Sequence, residues 1–139
     1  MTPAELAHLH GLCFTRPRPW QTAEFAALLD SPHAFLLSRP QGFLLGRVIA
    51  DEAELLTLAV APDARRQGIA RDLVGSFAAT SRARGAAHAF LEVAADNAAA
   101  QTLYLAAGWA ESGRRRRYYG PDLDAIVMVL RLEPGQEGG

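Results

Sequence analysis

Lysine is missing from the 139-residue chain, and all fourteen basic residues are arginine. Schiff-base and P-loop chemistry built on a lysine is therefore closed to it. A single cysteine, Cys13, excludes an intramolecular disulfide and predicts a reducing, cytoplasmic setting. No run of roughly 18 apolar residues is present to cross a bilayer. The opening Met1-Thr2-Pro3-Ala4-Glu5 lacks the basic and apolar regions of a signal peptide. Net charge is also small, −1, so no global field draws the molecule to nucleic acid or to an anionic membrane, and neither is expected as a partner. Aromatic residues are few, at 8%, yet half of the chain is apolar. That composition belongs to a globular core and excludes disordered, collagen-like and disulfide-scaffold classes.

No internal repeat or Gly/Ser linker divides the chain, and prolines and glycines supply its punctuation. Pro3–Leu12 reads as a weakly amphipathic helix, broken at Thr15-Arg16-Pro17-Arg18-Pro19-Trp20, where closely spaced prolines remove backbone donors. Thr22 is expected to cap a short helix over Ala23–Leu29, ended by Asp30-Ser31-Pro32. Three strand-like runs follow, Ala34–Ser38, Phe43–Ala50 and Glu54–Ala61, at spacings that suit an antiparallel meander. Gln67–Arg84 carries the strongest helical pattern: Ile69, Leu73 and Phe77 recur every four residues, and Gly85 stops it. Ala89–Ala94 has the character of a buried strand, interrupted by one carboxylate, Glu92. Asp96 and Asn97 open a helix over Ala98–Ala107, closed by Gly108. Trp109–Tyr119 and Ala125–Leu132 make a last hairpin around Gly120-Pro121-Asp122. The order predicts an α/β (mixed α+β) fold with a six- or seven-stranded sheet: an antiparallel meander, a central parallel pair across residues 54–94, and flanking helices. Residues 1–132 are expected to form one domain, and 133–139 a frayed polar tail.

Residues able to carry chemistry concentrate where a strand turns into the long helix, Val60-Ala61-Pro62-Asp63-Ala64-Arg65-Arg66-Gln67-Gly68-Ile69-Ala70-Arg71. Backbone N–H groups at a helix start are unsatisfied and partly positive, which makes a ready anion site. Gly68 allows a phosphate close to the backbone, Ala70 is nearly as small, and Arg65, Arg66 and Arg71 add charge. An arginine-rich helix start that binds nothing fits these residues equally well. Neither G-x-x-x-x-G-K-[ST] nor G-x-G-x-x-G is present, so the common nucleotide readings fail. His8-x-His10-x-x-Cys13 holds metal-capable side chains, but no second cluster completes a ligand set, and no metal is expected. Arg114–Arg117 reads as a solvated charge run or as an attractor of acidic groups. Tyr118 and Tyr119 read as hairpin packing or as the lining of a groove.

Arg65-x-x-Gly68-x-Ala70 resembles the [QR]-x-x-G-x-[GA] signature of the GNAT acetyltransferases. Leu91-Glu92-Val93-Ala94-Ala95-Asp96-Asn97-Ala98-Ala99-Ala100 and Leu103-Tyr104-x-x-x-Gly108-Trp109 follow at that family's spacing, and the similarity covers about residues 54–131. Pro19-Trp20, Arg117-Tyr118-Tyr119 and Asp124–Met128 make the chain most similar to the RimI-type N-α-acetyltransferases, which modify the N-terminal residue of a small-subunit ribosomal protein. The first fifty residues match only loosely.

The resemblance implies a GNAT-like sheet, acetyl-CoA as co-substrate and a protein N-terminal peptide as acceptor. It also implies that Arg65, Arg66, Gln67, Gly68, Ile69, Ala70 and Arg71 wrap the pyrophosphate, that Leu58, Ala59 and Val60 pair with the pantetheine arm, and that Asn97 touches the cofactor. Glu92 becomes a candidate general base and Tyr104 a candidate general acid toward the departing thiolate. Read without it, Glu92 is a strand carboxylate facing solvent or pairing with an arginine, Tyr104 a core aromatic, and Asn97 a helix cap. No serine sits in a G-x-S-x-G elbow and Cys13 has no companion motif, so direct transfer in a ternary complex is expected over an acyl-enzyme. Two other functions stay open: acetylation of a small-molecule amine on the same scaffold, and a non-catalytic CoA-binding module.

Overall fold

The computed structural model describes residues 1–15 and 18–132. Arg16 and Pro17 of the proline-rich break and the expected tail over 133–139 lie outside the described residues. The elements are α1 (Pro3–Cys13), α2 (Thr22–Leu29), β1 (Ala34–Arg39), β2 (Gly42–Ile49), β3 (Glu52–Val60), α3 (Ile69–Ala83), β4 (His88–Ala94), α4 (Ala98–Ala106), β5 (Ala110–Gly120) and β6 (Leu123–Arg131). A short 3-10 turn, Pro62–Ala64, separates β3 from the approach to α3.

Local chemistry starts the helices. Thr2 caps α1 in a reciprocal box: the Glu5 N–H donates to Thr2 Oγ1 at 3.1 Å, and the Thr2 N–H donates to Glu5 Oε1 at 2.7 Å. For α2 the expected cap at Thr22 is corrected. Gln21 is the cap, Thr22 is the first helical residue, and Glu24 reaches back to accept from the Gln21 N–H at 2.9 Å. The capping-box spacing outweighs the preference of threonine for the cap itself. The long helix begins at Ile69 and not Gln67, because Gly68 stands at its start with φ +80°.

Six strands form one sheet in the order β1-β2-β3-β4-β6-β5. All neighbours are antiparallel except β3 and β4, which are parallel. The six-strand reading therefore holds, and the parallel pair lies where the crossover helix α3 requires it. One apolar cluster, with Leu73, Val74, Phe77, Leu91 and Trp109, packs α3 and α4 on one face. A second cluster, with Leu6, Leu9, Phe25, Phe43 and Leu45, packs α1 and α2 on the other. Gly46 has no room for a side chain, since a Cβ there would stand 2.6 Å from the Phe35 ring and 2.9 Å from the Phe77 ring.

Two irregularities prepare the site. Register between β2 and β3 slips, with Leu45 opposite Thr57 but Gly46 opposite Leu55, so Leu56 is the extra residue of a bulge. More important, β3 and β4 pair over three residues only, Glu52, Ala53 and Glu54 with His88, Ala89 and Phe90. Beyond that point β3 runs on to Val60 and β4 to Ala94, and the two strands separate. The sheet opens as a fork.

Candidate active site

A fork in a sheet leaves one row of backbone N–H and C=O groups on β3 without a neighbouring strand, and buried backbone groups of that kind demand a partner. Leu58, Ala59 and Val60 lie on this limb and line a groove of about 890 Å³, and the Val60 carbonyl at its end accepts from Cys13 Sγ and Arg65 Nε, each at 3.2 Å. The groove runs to the start of α3, where Arg65, Arg66, Gly68, Ile69, Ala70 and Arg71 also line it. No side chain caps that helix, and the first backbone bond back to its start comes from the Asp72 N–H to Gly68 O. The N–H groups of Ile69, Ala70 and Arg71 are thus orphans at the positive end of a 15-residue helix. Arg66 is left-handed, with φ +66°, as is Gly68. Two left-handed residues spaced by one build a tight backbone cradle, and basic side chains surround it.

The expected anion-binding residues are therefore brought together, with one exception. Gln67 does not line the groove. It sits between the two left-handed positions and lines an adjoining hollow with Arg39, Gln41 and Asp72, which shares Gly68 and Ile69 with the groove. Asn97 does line the groove, and its Oδ1 accepts from the Ala100 N–H at 3.1 Å, so it is the α4 cap as well.

A second hollow of about 360 Å³ opens on the α1 side of the fork. Glu92 and Tyr104 both line it. The two hollows share Phe14, Leu58, Asn97 and Ala100 in their walls, so they meet inside the fork. Glu92 is nearly enclosed, with 13% of its side chain exposed, and Arg115 Nη1 donates to its Oε2 at 2.6 Å. The arginine pairing weighed for Glu92 is thus present, and it coexists with a place in the cleft wall. Tyr104 projects from α4 and packs on Trp109, with ring centroids 5.9 Å apart. Burial foremost, then the neighbouring Tyr119, holds its hydroxyl well above the usual phenol range, so it keeps its proton.

Tyr118 and Tyr119 take the groove-lining role, one of their two readings, whereas Glu54 and Thr57 carry no local signal in the sequence. The strand β5 bulges between Arg115 and Gly120, with Arg117 left-handed at φ +54°. Its backbone N–H donates to Asp124 Oδ1 at 2.9 Å. This irregularity turns Tyr118 and Tyr119 into the second hollow, where the Tyr119 hydroxyl donates to the Glu92 carbonyl at 3.1 Å. The Arg115 guanidinium lies 4.1 Å from the Tyr118 ring centroid. Glu54, from the last paired residue of β3, completes the rim and is itself paired with Arg47. His10 and Thr57 form part of the floor, with the His10 Nε2 and Thr57 Oγ1 2.9 Å apart.

A forked mixed sheet with an uncapped helix start after β3 and a carboxylate on β4 suits a transferase class that holds an activated donor by an anionic group. The residues from 4 to 109 match the family model described as Acetyltransferase (GNAT) family, and the chain belongs to that family. It is 38% identical over 122 residues to the ribosomal protein bS18-alanine N-acetyltransferase of Escherichia coli K12, an alignment covering 82% of each chain. To the N-alpha-acetyltransferase RimI of Mycobacterium tuberculosis it is 37% identical over 138 residues, covering 93% of this chain and 85% of that one. The crystal structure of the Escherichia coli ribosomal-protein-S18-alanine N-acetyltransferase superposes with a TM-score of 0.81 at 35% identity, covering 94% and 86% of the two chains. Arabidopsis thaliana NAA60 in complex with acetyl-CoA has the same fold, with a TM-score of 0.81 at 19% identity. No helix among the described residues is long and apolar enough to cross a membrane.

The cradle makes a direct prediction. A non-glycine residue at a left-handed position costs about 1–2 kcal/mol, and nothing lies within 4 Å of a Cβ at Gly68. Gly68→Val is therefore expected to distort the loop and not the core. Calorimetry should find acetyl-CoA binding about tenfold weaker, with the unfolding temperature little changed.

Proposed function

We propose that this protein transfers the acetyl group of acetyl-CoA to the α-amino group of a protein N-terminus, by direct attack within a ternary complex. The names of its relatives point to an N-terminal alanine of a small-subunit ribosomal protein as the acceptor. The observation that carries the reading is the meeting of the two hollows inside the fork, with Glu92 and Tyr104 in the wall of the smaller one. Residues 1–132 act as one acetyltransferase domain on this reading, and the single cysteine suits a cytoplasmic setting.

Acetyl-CoA supplies an activated thioester. The orphan N–H groups of Ile69, Ala70 and Arg71, with Arg65 and Arg66, hold its diphosphate, and the open edge of Leu58, Ala59 and Val60 pairs with its amide-bearing arm. Asn97 caps α4 beside that arm. Glu92 accepts a proton from the acceptor ammonium, directly or through one water. Arg115 donates to Oε2 of that carboxylate and holds it in the wall of the hollow. As nitrogen attacks, the C–N bond forms and the C–S bond breaks. Tyr104 gives its proton to the leaving sulfur and regains one from the acylated nitrogen, which must shed its second proton to become an amide. An α-amino group has a pKa of about 7.7–8.0 against about 10.4 for a lysine side chain, so deprotonation near pH 7 is cheaper for the N-terminus by about 3.5 kcal/mol.

Tyr104→Phe is expected to lower kcat about tenfold and leave acetyl-CoA affinity unchanged. General acid catalysis reaches 10²–10⁴ for poor leaving groups, but a thiol with a pKa of about 8.5 departs with less help. Stopped-flow single turnovers measure the chemical step alone.

Mass spectrometry of a peptide library incubated with labelled acetyl-CoA tests the whole reading. Label on α-amines, and none on peptides blocked at the N-terminus that still carry lysine, supports it. Label confined to lysine side chains or to small amines overturns it. Tight acetyl-CoA binding with no turnover on any amine identifies a binding module instead.

A further inference from the structure

Besides its lower basicity, an α-amine has beside it what a lysine side chain lacks, a peptide carbonyl two bonds from the nitrogen, and an enzyme selective for N-termini can recognise it. That oxygen needs a donor held in the acceptor hollow. Among the lining residues, Thr57 is 8% exposed and stands on the α1-facing side of the bulged stretch of β3, in the same hollow as Glu92. Its hydroxyl is polarised in one direction by a chain of hydrogen bonds that can be read from fixed donors.

The backbone N–H of Trp20 donates to His10 Nδ1 at 3.0 Å. A main-chain N–H cannot accept, so Nδ1 carries no proton. His10 is 2% exposed, and burial above all, against a small opposing pull from Glu24, lowers its pKa to about 4. The ring is therefore neutral, with its one proton on Nε2. That proton is donated to Thr57 Oγ1, 2.9 Å away. With one lone pair used in this way, the threonine's own O–H has to point elsewhere. Among the described residues it meets no other acceptor, and it borders the hollow.

We propose that Thr57 is a specificity-determining residue whose hydroxyl donates to the first peptide carbonyl of the acceptor, and that His10 is the positioning residue that orients it. The proposal rests on the reading of this hollow as an α-amine site. Aromatic rings hold the imidazole in place: Phe14 stacks on it at 4.3 Å between centroids and Trp20 at 5.3 Å, while Phe25 meets it edge-on at 5.6 Å. Helix α1, the segment after it and β3 thus converge on one hydroxyl. Metal ligation by His10 is excluded in this arrangement because both ring nitrogens are engaged.

The test pairs two peptides with three enzymes. One peptide begins with alanine; the other replaces its first amide by a trans-alkene, which keeps shape and removes the carbonyl. Wild type should prefer the amide peptide in kcat/KM, chiefly through KM. Thr57→Val should lose about tenfold of that preference, the worth of one neutral hydrogen bond with its desolvation. Thr57→Ser should restore it. Taking the ratio of preferences cancels the different basicities of the two amines. Should Thr57→Val fold poorly because it strands the His10 N–H, the double variant Thr57→Val with His10→Leu removes both polar groups and serves in its place. Equal preference in wild type and the valine variants overturns the assignment of Thr57, while acetylation of the alanine peptide by wild type keeps the α-amine reading intact. Absence of any α-amine acetylation by wild type overturns both.

Discussion

Glu92→Gln is expected to lower kcat/KM for an N-terminal peptide by about 10²–10⁴ at pH 7. Glutamine keeps the shape of the side chain and still offers a carbonyl oxygen to Arg115 Nη1, which now donates to Oε2 at 2.6 Å. The clamp between β4 and β5 therefore survives, and acetyl-CoA affinity should not change. What is lost is an acceptor for the proton of the incoming ammonium. The deficit should narrow as pH rises above about 8, where an α-amine is already neutral in solution. A pH profile of kcat/KM for both enzymes, read beside calorimetric acetyl-CoA binding, separates this outcome from misfolding. Wild-type activity of the variant at every pH would falsify the base assignment.

The second large effect is on stability in acid. His10 is buried and neutral, with its pKa lowered to about 4 from an ordinary 6.5, chiefly by burial. The folded pKa is depressed, so the unfolded chain takes up the proton first as pH falls. The contribution is fully present above about pH 6.5 and is lost between there and about pH 4. A shift of this size at about 1.36 kcal/mol per unit amounts to about 3 kcal/mol. Protonation also removes the lone pair that receives the Trp20 N–H, so the wall of the acceptor hollow loosens with the fold. Urea unfolding at pH 7 and pH 4.5 should show the loss in the native protein. The double variant Thr57→Val with His10→Leu should show a smaller difference between the two pH values, since no buried imidazole remains to charge. An equal pH dependence in both proteins would place the acid sensitivity elsewhere.

The parts of this site legible in the sequence are those whose signal is local. Arg65, Gly68 and Ala70 stand within six residues of sequence, and the helix start they mark is where the groove lies. Glu92 stands out as one carboxylate in an apolar strand, and the strand pattern alone places it on the face opposite Leu91 and Val93. The start of α2 differs by one residue from the sequence expectation because a threonine at position 22 competes with the Gln21–Glu24 spacing. Gln67 reads in the sequence as one of the anion-binding group, but the left-handed residues on either side, Arg66 and Gly68, carry its side chain to the adjoining hollow. The remainder depends on long-range pairing. Thr57 reads as an ordinary strand residue, and its partner His10 lies 47 positions earlier. Arg115 is one of four consecutive arginines, and only the β5–β6 register, shifted between Glu111 and Gly113 and again after Arg115, decides which of them turns toward Glu92.

The three residue pairs that hold β3 to β4 give the sheet a seam. Half of the molecule's strands stand on each side of it. A thioester carrier lying along the open limb would act as a seventh strand made of something other than protein, stitching the seam shut. Ligand at about 100 times its dissociation constant adds about 2.7 kcal/mol to the folded state. The cellular supply of the donor would then govern how long each copy of the chain survives proteolysis, besides how fast it works.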